Sequence, residues 1–230
     1  MTIILHSLCG TDTKRPFSPH CWKAVMALSH KGLDFVERPV PFTEIPALEN
    51  GFSRTVPILN DNGHLVSDSF AIALYLEDTY PDRPSLFKGE GGKAMARFVE
   101  GYTQTVLQAA LMPIIVMSIH DILPEKDKAY FRESREARLG RPLEEVVATR
   151  AEAEKAAFPG KLEPLRHMLK FQPYLGGDSP LFADYILFGA LQWARVTSGS
   201  LPLSADDPAM EWFGRCLDLF EGRGRHVTAA

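Results

Sequence analysis

The chain has 230 residues, 45% of them hydrophobic and 23% charged, with a formal net charge of −4 and a pI near 6.0. This is the composition of a globular protein with material for one large core or two small ones. It excludes a nucleic-acid binder, since no basic cluster interleaved with aromatics is present to meet a phosphate backbone.

The first aliphatic run, Ile3-Ile4-Leu5, reads as a short buried strand. It lacks the basic start and long apolar stretch of a secretory signal, which predicts a cytoplasmic protein. A polar stretch through Arg15-Pro16 then leads to a helix starting after Ser18. Serine before proline suits a helix start: the hydroxyl accepts a free backbone N–H, and proline at the first position has none to lose. Trp22, Val25, Met26 and Ser29 fall at the i, i+3, i+4, i+7 spacing of one buried face, and Gly32 stops the helix. Phe35 to Val40 reads as a second strand, placed at an edge by Pro39. Val56 to Leu59 and His64 to Ser67 flank Asn60-Asp61-Asn62-Gly63, the signature of an antiparallel hairpin. After Asp68-Ser69 the run 70–76 is apolar all round, as in a buried helix.

The composition then shifts. Residues 80–92, YPDRPSLFKGEGG, read as a linker, and only helical signals follow. Met95, Phe98, Val99, Tyr102 and Val106 make one helical stripe, and Pro113 is expected to kink or end that helix. Pro142, Pro159 and Gly160 read as breaks around a charged stretch; 182–196 is a strongly apolar helix, and Asp207-Pro208 starts a last one. The apolar run 111–117 is interrupted by Pro113 and falls far short of the roughly 20 residues that span a bilayer, so no membrane segment is expected. Cys9, Cys21 and Cys216 make an odd, widely spaced set that matches neither a disulfide framework nor a metal site, so free thiols and no metal are expected.

A small α/β sheet domain, a proline-containing linker and an all-helical domain make a layout that resembles the glutathione transferases over essentially the whole length. Ser18 to Lys23, Val56-Pro57, Asp68-Ser69 and Phe182-Ala183-Asp184 carry the match, strong in this order and spacing. The resemblance implies a thioredoxin-like glutathione-binding domain over 1–83, a linker at 84–92 and a helical bundle over 93–230 forming the hydrophobic substrate side. SPHCW, ALSHKG, PFTEI, YLEDTYPDRPSLFKG and YLGGDSPLFADY, with the 206–226 stretch, are similar to the etherase-type class, the bacterial lignin β-aryl etherases and related fungal transferases.

The resemblance implies site roles residue by residue. Val56-Pro57 is a cis peptide whose Val56 backbone faces an extended ligand, the cysteinyl unit of glutathione. Ser69, at a helix N-terminus, suits the γ-glutamyl carboxylate, and Asp68, where many members carry Glu or Gln, suits its ammonium. Ser18 becomes the favoured catalytic residue. A thiol with pKa near 8.5 is mostly protonated at pH 7, and lowering it by about two units takes roughly 2.7 kcal/mol. A helix N-terminus offers about 0.3–1 kcal/mol, up to about 2 when partly buried, and a charge-assisted hydroxyl bond about 1.5–3.

Cys21 is the rival, because a first-turn cysteine has its own thiolate favoured. In the thiol-transferring classes, however, the cysteine precedes the proline, where this chain has Ser18, and Cys21 falls in period with Val25 and Leu28 as a packed thiol. His6 and His20 are candidates for the mouth of the site, without an assigned role. Arg54 and Arg38 are candidates for the glycyl carboxylate. Phe98, Tyr102, Val106 and Met112 have a spacing suited to lining an acceptor pocket, though most of that stripe must be core. Asp184 sits where the family has a capping box, but Leu181 replaces the usual Ser, Thr or Asn, which puts local helix stability in doubt. The sequence leaves open whether residues 10–15 act as a lid.

Three readings compete: a glutathione transferase acting on an apolar aromatic electrophile, with β-aryl ether cleavage implied by the closer resemblance; a glutathione-dependent disulfide or quinone reductase using Cys21; and a non-enzymatic carrier of aromatic compounds. A homodimer is implied by resemblance alone.

Overall fold

The computed structural model describes residues 2–230. Ile3–Leu8 (β1), Phe35–Val40 (β2), Ile58–Asp61 (β3) and His64–Ser67 (β4) form one sheet in the order β2-β1-β3-β4. β1 and β2 are parallel, and β3 is antiparallel to both β1 and β4. A parallel pair needs a crossover, which helix α1 (Pro19–His30) supplies. Pro39, with no N–H to give, sits on the outermost strand. The β3–β4 turn is made by Asn62 and Gly63 at φ 53° and 97°, the mirror-image turn that matches strand twist. With helix α2 (Ser69–Thr79), this is a thioredoxin-like α/β unit.

Between β2 and β3 the segment Phe42–Gly51 coils in 3-10 turns, interrupted by Glu49 and Asn50 in the left-handed region. It does not stand alone. The buried carboxylate of Asp127 accepts the N–H groups of Phe42 and Thr43 at 2.5 and 3.1 Å and the Thr43 hydroxyl at 2.6 Å. Asp127 lies on α5 (Glu125–Leu139), so one side chain ties the sheet unit to the helices.

The helical part begins with α3 (Glu90–Tyr102), inside the 80–92 stretch read as linker, and continues through a wide π-helical turn, Thr103–Gln108, into α4 (Ala109–Ile122). Pro113 does not end this 33-residue run, Glu90–Ile122, one of the two outcomes expected of it from sequence. The α ladder yields instead at the wide turn just upstream, while Pro113 is held in the buried interior, where packing overrides local propensity. By length and composition this run is capable of crossing a membrane. Here its α3 part packs on α8 (Phe182–Ser198), and its α4 part on α8 and on α6 (Leu143–Lys161). Pro159 likewise lies inside α6, which ends only at Lys161. The chain finishes with α7 (Glu163–Leu169), α8 and α9 (Pro208–Gly222).

α8 is the axis of the molecule, unbroken in burial from Phe182 to Ala194. It covers the face of α1 turned away from the sheet, so Cys21 to Leu28 are all buried and the single-stripe reading of α1 was too narrow. Lys23, fully buried on α1, is matched by Glu100 of α3 at 3.1 Å. The missing half of the α8 capping box does not weaken the helix start. Asp184 is completely buried, and its carboxylate accepts the N–H groups of Leu175, Gly176 and Leu181 and the Trp212 indole at 2.8–3.0 Å. Burial pushes its pKa up, and the four donors oppose that shift.

Candidate functional site

α1 begins at Ser18, whose extended backbone turns into helical Pro19. The Ser18 hydroxyl accepts the Cys21 N–H at 3.4 Å, long beside the usual 2.9–3.0 Å of such bonds, and has no other partner among the described residues. No described group accepts from it in hydrogen-bond geometry, although the hydroxyl lies near enough to the Cys21 thiol to pull that pKa slightly down against burial. Gly189 of α8 makes this placement possible: a Cβ there would lie 2.4 Å from the Pro19 carbonyl oxygen, so only glycine lets α8 pass the start of α1. Trp22 and Phe188 lock the crossing edge to face at 5.9 Å.

Ser18 opens into a cavity of about 630 Å³, shared by both halves of the molecule. From the sheet side come Leu8, Phe17, Ser18, Pro19, His20, Phe42, Ile45, Arg54, Thr55 and Val56. Val56-Pro57 is a cis peptide, and neither backbone group of Val56 has a hydrogen-bond partner among the described residues. Unpaired main-chain groups at a cavity wall are free to meet an extended ligand. His20 is a neutral group here, because burial and the nearby Lys23 push its pKa down to about 4.

Asp68 and Ser69 lie at the start of α2, outside the cavity lining. Asp68 takes φ 75°, a left-handed conformation rare for a residue with a side chain, and one carboxylate oxygen accepts the Phe70 and Ala71 N–H groups at 2.9 Å. The second oxygen has no partner among the described residues, and neither has the Ser69 hydroxyl. Capping thus leaves acceptor and donor capacity over at one helix end.

The other candidates fall on both sides of the cavity wall. Cys21 is buried and absent from the cavity wall, and burial pushes its thiol up to about 12. His6 is buried beside Glu49, with Nε2 2.7 Å from its Oε1, away from the cavity that His20 lines. Arg54 lines the cavity; Arg38 does not. Of the α3–α4 stripe only Met112 reaches it: Tyr102 donates to the Lys161 carbonyl, Val106 packs on the core, and Phe98 points outward, 73% exposed. The π-helical turn rotates the later residues off the phase of the earlier ones, which sequence periodicity cannot foresee. Residues 10–15 are tied to the helices: Thr11 donates to the Ile122 carbonyl at 2.8 Å and Arg15 to that of Val196 at 2.7 Å.

Apart from Met112, sequence reasoning missed the far wall. Gln104, Gln108, Met112 and Ile119 come from the long helical run; Tyr130, Phe131, Arg135, Arg138 and Leu139 come from α5 and its end; Trp193 comes from α8. The only available signal was the arginine spacing in the charged stretch, which reads equally as a solvated face.

Two family models match the chain, "Glutathione S-transferase, N-terminal domain" over residues 13–84 and "Glutathione S-transferase, C-terminal domain" over 94–204. A curated relative, the glutathione S-transferase-like protein ustS of Aspergillus flavus, is 27% identical over 221 residues, covering 84% of this chain and 78% of the relative. Among solved structures, glutathione transferase GSTFuA3 of Phanerochaete chrysosporium superposes with a TM-score of 0.76 at 27% identity, covering 99% of this chain and 94% of that one. CsGST63524 of Ceriporiopsis subvermispora, solved in complex with glutathione, has the same fold, with a TM-score of 0.76 at 21% identity over 100% of this chain and 99% of its own.

Proposed function

The chain belongs to the glutathione S-transferase family, and on that premise we propose that Ser18 holds the sulfur of glutathione as thiolate for attack on an apolar aromatic electrophile. The observation that carries this reading is the Ser18 hydroxyl at the start of α1, which accepts one long bond and lines the same cavity as Val56. The hydroxyl donates to the sulfur while its lone pairs keep the Cys21 N–H, so cap and catalyst coexist. The cysteinyl unit pairs with the free backbone of Val56 beside cis Pro57, and the γ-glutamyl end meets Ser69 and the open Asp68 oxygen. This division of labour supports 1–83 as the glutathione domain and 93–230 as the acceptor side, joined by the 84–92 segment, in which α3 already begins at Glu90. The exposed Phe98 and Met95 on α3 support a covered face, in keeping with a homodimer.

β-Aryl ether cleavage is the reaction we favour. The thiolate sulfur attacks the carbon beside a ketone, an S–C bond forms as the C–O bond to the aryl group breaks, and the aryloxide leaves with the electron pair and takes up a proton from water. A phenol pKa near 10 makes that departure tolerable, so positioning and thiolate stabilisation suffice.

The test is phenol release from a phenacyl aryl ether, with and without reduced glutathione. Release should require glutathione and fall about 100-fold in Ser18→Ala, the equivalent of two pKa units. Cys21→Ala should retain it, since that thiol is sealed and protonated. Glutathione-dependent disulfide or quinone reduction that is lost in Cys21→Ala and survives Ser18→Ala establishes the reductase reading instead, and binding of aromatic compounds without any turnover establishes the carrier.

A further inference from the structure

We propose that Arg135 and Arg138 form an anion-binding subsite on the acceptor wall, so that the preferred acceptor is an aromatic compound carrying a carboxylate or similar anionic group. The inference rests on the transferase reading of the same cavity.

Both arginines line the cavity, and among the described residues neither forms an ion pair. Their neighbour on α5, Arg132, behaves differently: it reaches Glu136 at 2.9 Å and grips both oxygens of Glu144 at 2.9 and 2.7 Å. Acidic partners are therefore at hand along this helix, but not on the face turned to the cavity. Arg135 stands over two neighbouring aromatic rings, its guanidinium carbon 4.8 Å from the Phe131 centroid and 5.4 Å from that of Phe42. One Nη1–H goes to the Ser134 hydroxyl, while Nε is buried with no partner. Arg138 stands three residues on, at the spacing where like charges on a helix repel. Burial and this neighbour both push the Arg135 pKa down.

A desolvated cation without a counter-ion, beside a second cation, is costly unless an anion arrives to pair with it. A planar guanidinium matches a carboxylate with two parallel bonds. The Gln108 side-chain nitrogen, also buried and unpartnered, is a further donor on the same wall. Met112, Ile119, Leu139 and Trp193 supply the apolar remainder, which suits an aromatic body with one charged end.

The full chain is titrated with two dyes of similar aromatic body, anionic 8-anilinonaphthalene-1-sulfonate and neutral N-phenyl-1-naphthylamine, by quenching of tryptophan emission. The expected result is an anionic preference of about tenfold or more, near one in Arg135→Gln/Arg138→Gln and largely kept in Arg135→Lys/Arg138→Lys, which preserves charge and checks folding. A preference unchanged in the glutamine variant overturns the subsite, as does equal loss of both dyes. The Michaelis constant for glutathione, measured with a neutral haloarene, separates the two anion sources: a large rise in the glutamine variant assigns the arginines to glutathione and overturns the proposal. Should no glutathione-dependent turnover appear at all while dye discrimination persists, the transferase reading fails and the subsite stands.

Discussion

Two helix starts in this molecule use the same residue for the same local task and end in opposite conditions. At α2, Asp68 is exposed and spends one carboxylate oxygen on two amides. At α8, Asp184 is sealed and spends both oxygens on four donors drawn from the 175–176 turn, its own helix start and α9. The first cap has polar capacity left over and a left-handed backbone that holds it at the surface; the second has none. Ser18, with its single long bond, belongs with the first kind. A capping motif in sequence therefore names a helix start, and whether it also binds something depends on how many other elements have claimed its oxygens.

The sharpest way to break this comparison is Asp184→Ala. It should orphan the buried Trp212 indole and three part-buried backbone N–H groups and cost about 3–5 kcal/mol in urea unfolding, the scale of a broken buried charged network. A cost under about 1 kcal/mol, the value of an ordinary cap, would erase the distinction between the two ends.

The open end also carries a pH signature. His20, next to the Ser18-Pro19 helix start, is held down to about 4 in the folded protein, against 6.5 unfolded. Between those values the unfolded chain binds more protons, so stability falls as pH falls through this window. From pH 7 to pH 5 the wild type should lose about 2 kcal/mol more than His20→Gln, measured by the urea midpoint. Equal losses would mean that His20 is not buried in its neutral form.

Asp68→Asn gives the smallest effect and the most pointed one. Asparagine caps a helix about as well as aspartate, so stability should move by only a few tenths of a kcal/mol. The role proposed for this carboxylate at the glutathione ammonium predicts that the Michaelis constant for glutathione rises about tenfold. A stability loss without a change in glutathione affinity would make Asp68 a cap like any other.

Much of the architecture was legible because its determinants are local. The Asn62-Gly63 turn, the Pro39 edge, the Ser18-Pro19 start and the Asp207 cap each depend on side chains within a few residues. Pro113 misled as a helix end for the complementary reason, its local preference being outweighed by the surrounding packing, whereas Pro159 does precede by two residues the end of α6 at Lys161. Asp127, which bonds residues more than eighty positions away, had no local signature, and the phase change at 103–108 removed Phe98 and Tyr102 from the cavity where periodicity had put them.

By itself, the sequence determined the order of strands and helices, the helix starts at Ser18 and Ser69 and the family, because hydrophobic period and capping chemistry act over one or two turns of chain. Only the tertiary structure decided which of those polar groups remain unspent, that Ser18 lines the cavity while Cys21, equally buried, does not, and that Arg135 and Arg138 face a cavity without a counter-ion. Burial and pairing are properties of elements brought together from distant parts of the chain, and they set the charge, donor capacity and reactivity of a side chain more strongly than its neighbours in sequence do.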